Sequence, residues 1–496
     1  MTTDTSAART ADTTYGAALT AEGPVTQRTR DGRSMLPRAS VVDTVKILST
    51  VLMPIIQRGV IVRRPSQVRL MEAADADSTA VELMQELHEK YGDGPLRLRV
   101  PGRRMVVVLS PEHVHRVLEN APEPFSPATR EKRAALAHFE PEGVLISSAA
   151  DRPPRRQYNE QTLDTDHEVH RGADAMMAAI SDEIDALITA IDEAGELDWD
   201  TYAEHWMRMV RRVVFGDAAA DDHELTDDMV ALRRSANWAF LAPRQRERRD
   251  RLHARIRHCL DAAEPGSLAA FAATMPTPDG AHADQQVPQW LFAFDAANWA
   301  SFRALALLAT HPAKAAELRR EAEGRELRQP QNLPFARACF LESLRLWPTT
   351  PAVLRETTAR TSWAGGSMPE DTSVFIYAPF FHRDDRNVEA AHRFEPEHFL
   401  RERTSDDWPF IPFSAGPAIC PARNLVLHIT STVLARLVTE REFTLSTSGL
   451  DPAALDPAAP LPGTLNPFGL RFAAQQRVTT SAPIDPDMGE PDPSEH

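Results

Sequence analysis

Between about residue 110 and residue 440, apolar residues recur every three to four positions, the signature of helices laying one face on a core. Residues 169–193, 201–215, 228–241 and 244–263 each combine such a stripe with a charged outer face and are predicted to be helical. The stretch 287–310 is apolar nearly all round, which predicts a central helix buried on every side. Residues 334–346 predict a further helix, with Asn332 as its N-cap, Pro334 in its first turn, and Pro348 and Pro351 ending it. Leu425, Ile429, Val433 and Leu437 repeat every four residues and predict a helix that starts just after Cys420. Strand-like runs are short: 96–100, 105–109 and 374–377. The pattern describes a mainly α fold with a small β part (α+β), without a clean internal boundary across residues 39–478. Residues 47–56 form the most apolar early run. At half the roughly 20 residues a spanning helix needs, the run predicts a helix packed on the body.

Composition narrows the function. The 496 residues carry 55 Lys and Arg against 71 Asp and Glu, a net charge of −16, which argues against a nucleic-acid-binding protein. Three cysteines, Cys259, Cys339 and Cys420, are too few for a disulfide scaffold and fit the reducing cytoplasm. Residues 1–38 hold few large apolar side chains and no secretory h-region, so they are expected to be a flexible arm. Residues 481–496 carry Asp485, Asp487, Glu490, Asp492 and Glu495 with no Lys or Arg, and are expected to be a disordered acidic tail. No Gly-rich phosphate loop is visible, so no nucleotide cofactor is expected on this chain. The acid-rich run 221–228 reads as a solvated loop and helix start. His167 and His170 lack the four-residue spacing of a helical zinc pair.

Three constellations could carry chemistry. Cys420 follows Phe413, Gly416 and Pro417 in a loop that runs into a helix N-terminus, where backbone N–H groups favour a thiolate. Such a thiolate can be a metal ligand or a nucleophile; a buried structural cysteine is the competing reading. Glu342 and Arg345 lie three apart on one helical face among Cys339, Phe340, Leu344 and Trp347, which suggests a buried pair. Asp295 sits inside the apolar central helix, where a carboxylate is costly unless it meets water, a partner or a site, and Asn298 follows one turn on.

In order, Asp295 in a long apolar helix, Glu342-x-x-Arg345, the run from Phe394 through His398 to Phe399, and Phe413-x-x-Gly416-x-x-x-Cys420 resemble the cytochrome P-450 superfamily over roughly residues 60–475. The resemblance implies haem b with Cys420 as the axial iron ligand, a thiolate that favours O–O cleavage. It further implies that Phe413 and Gly416 pack near the sulfur and that Glu342 and Arg345 lock the loop before the cysteine. His398 stands where relatives carry the third, basic member of that network. Arg355 matches a haem-propionate partner, and Arg155 or Arg156 resembles the partner of the other propionate. By the same analogy Phe292, Phe294, Asn298, Val353, Phe468 and Leu470 line a substrate pocket roofed by residues 125–146. A medium-sized hydrophobic or aromatic substrate is expected.

Departures from the family pattern divide the expected mechanism. Asp295 is followed by Ala296, where the family usually has a threonine that helps deliver protons in dioxygen activation. Asn298 and Ser301 are the nearby polar groups. Ala418 stands where a basic residue is common, and Ala422 where glycine is usual. One reading is a monooxygenase or oxidative cyclase of secondary metabolism, such as antibiotic biosynthesis. It would be a soluble bacterial enzyme fed by a ferredoxin and ferredoxin reductase, with Arg130, Lys132, Arg133, Arg155 and Arg156 as a docking face. A second is a haem-thiolate enzyme that does not use dioxygen: peroxide-driven, nitrene-transferring, rearranging or dehydrating. A third is a haem-binding protein without turnover, against which the retained Asp295 argues.

Overall fold

The computed structural model describes residues 36–446 and 452–477. The acidic tail and nearly all of the N-terminal arm lie outside them. Leu36 is buried and Arg38 bridges to Arg97, so the last residues of the arm pack on the fold.

The central helix runs Ala283–Thr310, four residues longer at its N-terminus than the pattern predicts. It packs against Trp199–Phe215, Pro334–Leu346 and Arg423–Glu440, and these helices share one large apolar core. Pro288 lies inside it and has no N–H to give the carbonyl of Asp284 one turn back. The ring of His253 takes that carbonyl instead, at 3.2 Å. A second core lies under a five-stranded sheet. Met105–Val107 pairs parallel with Ser373–Tyr377, which pairs antiparallel with Ala352–Thr357. The register sets Arg355 opposite Val374. The strand Ala352–Thr357 was not foreseen; its alternating buried positions, Val353, Arg355 and Thr357, include an arginine that breaks the apolar period.

Helix 334–346 has the predicted bounds but not the predicted cap. Glu321, from the preceding helix, accepts from the N–H groups of Phe335 and Ala336 at 2.7 and 2.9 Å, while Asn332 bonds to Glu168. The helix predicted at 228–241 is observed at His223–Ala236, because Asp222 caps it through the Leu225 N–H. Residues 41–58 form one continuous helical rod with a π-helical middle turn, and Ile47, Val51 and Ile55 face the core. No helix among the described residues is long and apolar enough to cross a membrane.

Candidate active site

The loop before Cys420 is held from three sides. The Cys420 N–H donates to the Phe413 carbonyl at 3.0 Å and closes the loop on itself. Gly416 adopts φ +66°, and a Cβ there would lie 2.2 Å from the Leu118 carbonyl oxygen, so only glycine lets the loop reach the end of helix Pro111–Glu119. Arg156 donates to the Ile419 carbonyl at 2.7 Å, and Arg355 donates to the Ser414 hydroxyl at 3.0 Å. Cys420 is half-buried at the mouth of helix Arg423–Glu440. Burial pushes its thiol up, opposed by the Ala422 N–H and by Arg156 and Arg423.

Around this loop lie cations without counter-charges. Among the described residues Lys132, Arg152 and Arg355 have no carboxylate partner, and Arg355 Nε is buried without any partner. Burial and then Arg152 lower Arg355 to about 10; burial and then Arg156 lower Arg152 to about 10. Lys132 is lowered well below its usual range by burial, Arg355 and Arg152. Two buried arginines and the half-buried Lys132 repel one another and leave an uncompensated positive charge that a dianion would neutralise. The two carboxylates of a haem fit it, with the sulfur of Cys420 as the ligand close by. Lys132 and Arg152 were not read as cofactor-binding, because what gathers them is distant in sequence: Lys132 Nζ donates to the Leu354 carbonyl, and Arg152 lies near enough to Arg355 to lower it. Arg155 turns away, to Ser147 at 2.9 Å and the Gly280 carbonyl. Of the expected docking face, Lys132, Arg155 and Arg156 therefore face inward. Arg133 pairs with Glu356, and Arg130 lies over Phe240.

On the central helix, Asp295 pairs with Arg233 of helix His223–Ala236. Arg233 also donates to the Pro288 carbonyl at 2.8 Å and lies between Phe292 and Phe139. Burial raises the Asp295 carboxyl, against the pull of Arg233. Glu140 is completely buried with both oxygens unbonded, and burial pushes it well up, opposed only by Arg233. Pattern reading missed Glu140 and Arg233, whose burial is set by elements distant in the chain. Asn298 is buried with Oδ1 unpartnered, whereas Ser301 accepts from Tyr202 at 2.8 Å and is committed to packing. Phe294 and Leu470 are fully buried in the core and Val353 nearly so, while Phe292 and Phe468 are half-buried. Phe413 packs 6.5 Å from Phe340.

Glu342 and Arg345 form the expected buried pair, two bonds of 2.7 Å. Arg345 also donates to the carbonyls of His382, Ala390, Ala391 and Arg393, and Glu342 accepts from the Glu395 N–H at 2.9 Å. His398 hydrogen-bonds neither of them and meets Phe410 edge-on at 5.0 Å. His382 takes up the contact instead, with Nδ1 at 3.2 Å from the Arg345 carbonyl and Nε2 accepting from the Ile411 N–H.

The family model described as cytochrome P-450 matches residues 69–231 and 278–458. Berbamunine synthase of Berberis stolonifera is 34% identical over 146 residues, covering 27% of this chain and 30% of that protein. Methyltetrahydroprotoberberine 14-monooxygenase of Papaver somniferum is 30% identical over 154 residues, 28% of this chain and 29% of that protein. The matched regions thus span about a third or less of these relatives. A crystal structure of a cytochrome P-450 overlays 80% of this chain and 94% of its own, with a TM-score of 0.63 at 19% identity.

Proposed function

This chain belongs to the cytochrome P-450 family, and we propose that it is a monooxygenase or oxidative cyclase acting on a medium-sized hydrophobic or aromatic small molecule. The family implies a haem iron, whose thiolate-ligated form activates oxygen for insertion into unreactive bonds. The observation that carries the reading is the convergence of the Cys420 loop with Lys132, Arg152 and Arg355, a dianion site beside a clamped cysteine. Phe413 and Gly416 shape the loop; Arg156 holds it from the side. We read residues 39–478 as one catalytic unit, with electrons from a separate ferredoxin-type donor. A relative named a monooxygenase supports the reaction class.

Protons reach such a site without the usual threonine, because Ala296 carries only a methyl group. The residues at hand are the Asp295–Arg233 pair, the raised carboxyl of Glu140 and the unpartnered Oδ1 of Asn298. Asn298 Oδ1 can accept one N–H of a substrate amine and orient it, which leaves a second N–H free to supply a proton. Ala296 also fits the second reading, a haem-thiolate enzyme that does not use dioxygen, in which the missing hydroxyl costs nothing.

The test is the carbon monoxide spectrum of the reduced, haem-loaded protein. A thiolate-type spectrum that Cys420→Ser abolishes is expected; a histidine-type spectrum in the wild type overturns the assignment. Dioxygen consumption without substrate separates the two readings. If the reduced wild type consumes it at once and Ala296→Thr slows it, the second reading takes over.

A further inference from the structure

A second group of cations, the buried Arg58 with the half-buried Arg63 and Arg303, gathers at another cavity. Arg58, Arg63 and Arg303 line a cavity with about 40 Å³ of space for the centres of water-sized spheres, walled by Trp299 and Phe468. That is room for about three waters or one small head group. Asp77 is the carboxylate on this wall, and it is fully used. It takes two bonds from Arg58, one from the Tyr377 hydroxyl at 2.9 Å and one from the Thr464 hydroxyl at 2.8 Å.

Arg63 and Arg303 have no carboxylate of their own among the described residues. Arg63 donates to the carbonyls of Gly59 and Thr349 and lies 5.5 Å from the Trp299 ring centre. Arg303 donates three times, to the carbonyls of Leu465 and Trp347. A guanidinium has five N–H donors, so both keep donors to spare. Glu72 is near enough to act on Arg303 electrostatically but accepts from the Asn466 N–H at 2.7 Å rather than from the arginine. Burial and the neighbouring arginines lower Arg63 to about 9, and burial and Arg58 lower Arg303 to about 10. Both stay charged at neutral pH, in a wall with more cations than anions.

From this geometry we infer that the cavity binds the carboxylate of the substrate, held by Arg63 and Arg303, with the apolar body of the molecule running along Trp299 and Phe468. The inference rests on the haem-thiolate reading and specifies its substrate: an amphipathic small acid. Trp299 is four residues beyond Asp295 on the central helix, about 6 Å along its axis. Guanidinium forks match a planar carboxylate in two-point contact, which makes the site selective for the acid over its neutral amide.

The experiment titrates the haem-loaded protein calorimetrically with ω-phenylalkanoic acids of increasing length and with the matching primary amides. At least one acid is expected to bind about tenfold or more tightly than its amide. The gap should narrow with added salt, close in Arg63→Gln and persist in part in Arg63→Lys. Equal binding of acids and amides, or no binding of any acid, overturns the inference. The wild-type comparison and its salt dependence decide the matter even where Arg63→Gln fails to fold. A histidine-type carbon monoxide spectrum would sink the haem-thiolate reading yet leave the acid-over-amide gap measurable.

Discussion

Every nitrogen of the Arg345 guanidinium is bonded, to both oxygens of Glu342 and to four carbonyls of residues 382–393. Glu342→Gln keeps the volume but leaves a buried charge facing neutral carbonyls. The expected cost is about 3–5 kcal/mol, a large share of a typical domain's stability. Chemical denaturation and the haem content of purified protein would read it. The pair was legible in the sequence because its members sit one helical turn apart and the apolar residues around them announce burial. Asp295 was legible for the same reason, as a charge inside an apolar helix. Its partner was not: Arg233 is 62 residues away, and nothing local marks which of many arginines turns inward. The same holds for Lys132 and Arg152, and it explains why Arg155 looked as good a candidate as Arg156. Adjacent residues on a helix point about 100° apart, and only packing decides which faces the loop.

Elements were easier to place than their ends. Helix 334–346 was delimited by its prolines, yet its cap came from Glu321, on another helix. Capping by a distant carboxylate leaves no mark within the segment it caps. The cysteine loop shows the opposite case. Gly416 is legible as a motif glycine, and the structure supplies its reason: φ +66° and a carbonyl oxygen where a Cβ would sit. Gly416→Ala should cost about 1–2 kcal/mol for the left-handed conformation alone, with the displacement of Leu118 added. A lowered melting temperature together with a reduced haem-to-protein ratio is the expected outcome. A drop in stability with full haem content would show that the loop tolerates the shift.

For the whole molecule the net charge of −16 says little about where charges sit, and burial matters more. His382 is completely buried beside Arg345 and lowered to about 3; His428 is lowered to about 4, chiefly by burial. Above pH 6.5 both are neutral folded and unfolded, and neither contributes to pH dependence. As the pH falls below 6.5 the unfolded chain takes up protons that the folded chain refuses, so stability is lost progressively toward pH 3–4. At pH 5 each histidine should account for about 2 kcal/mol. Denaturation midpoints between pH 7 and 5 would show the fall. His382→Gln, which can still donate to the Arg345 carbonyl and accept from the Ile411 N–H, should remove its own share of about 2 kcal/mol at pH 5 and so flatten the fall. An unchanged slope would place the loss elsewhere.

The sequence by itself determined the fold class, the buried central helix, the cysteine loop and the Glu342–Arg345 pair. Each rests on periodicity or on a spacing of a few residues, and such local geometry is fixed by the helix turn itself. Tertiary structure alone decided which cations surround the cysteine, that Asp295 is paired, that His382 rather than His398 bonds the Arg345 carbonyl, and that Arg63 and Arg303 share a cavity. Those facts depend on side chains brought together from positions tens to hundreds of residues apart. A long contact of that kind leaves no period in the chain; it exists only once the core has set the helices and the sheet against each other.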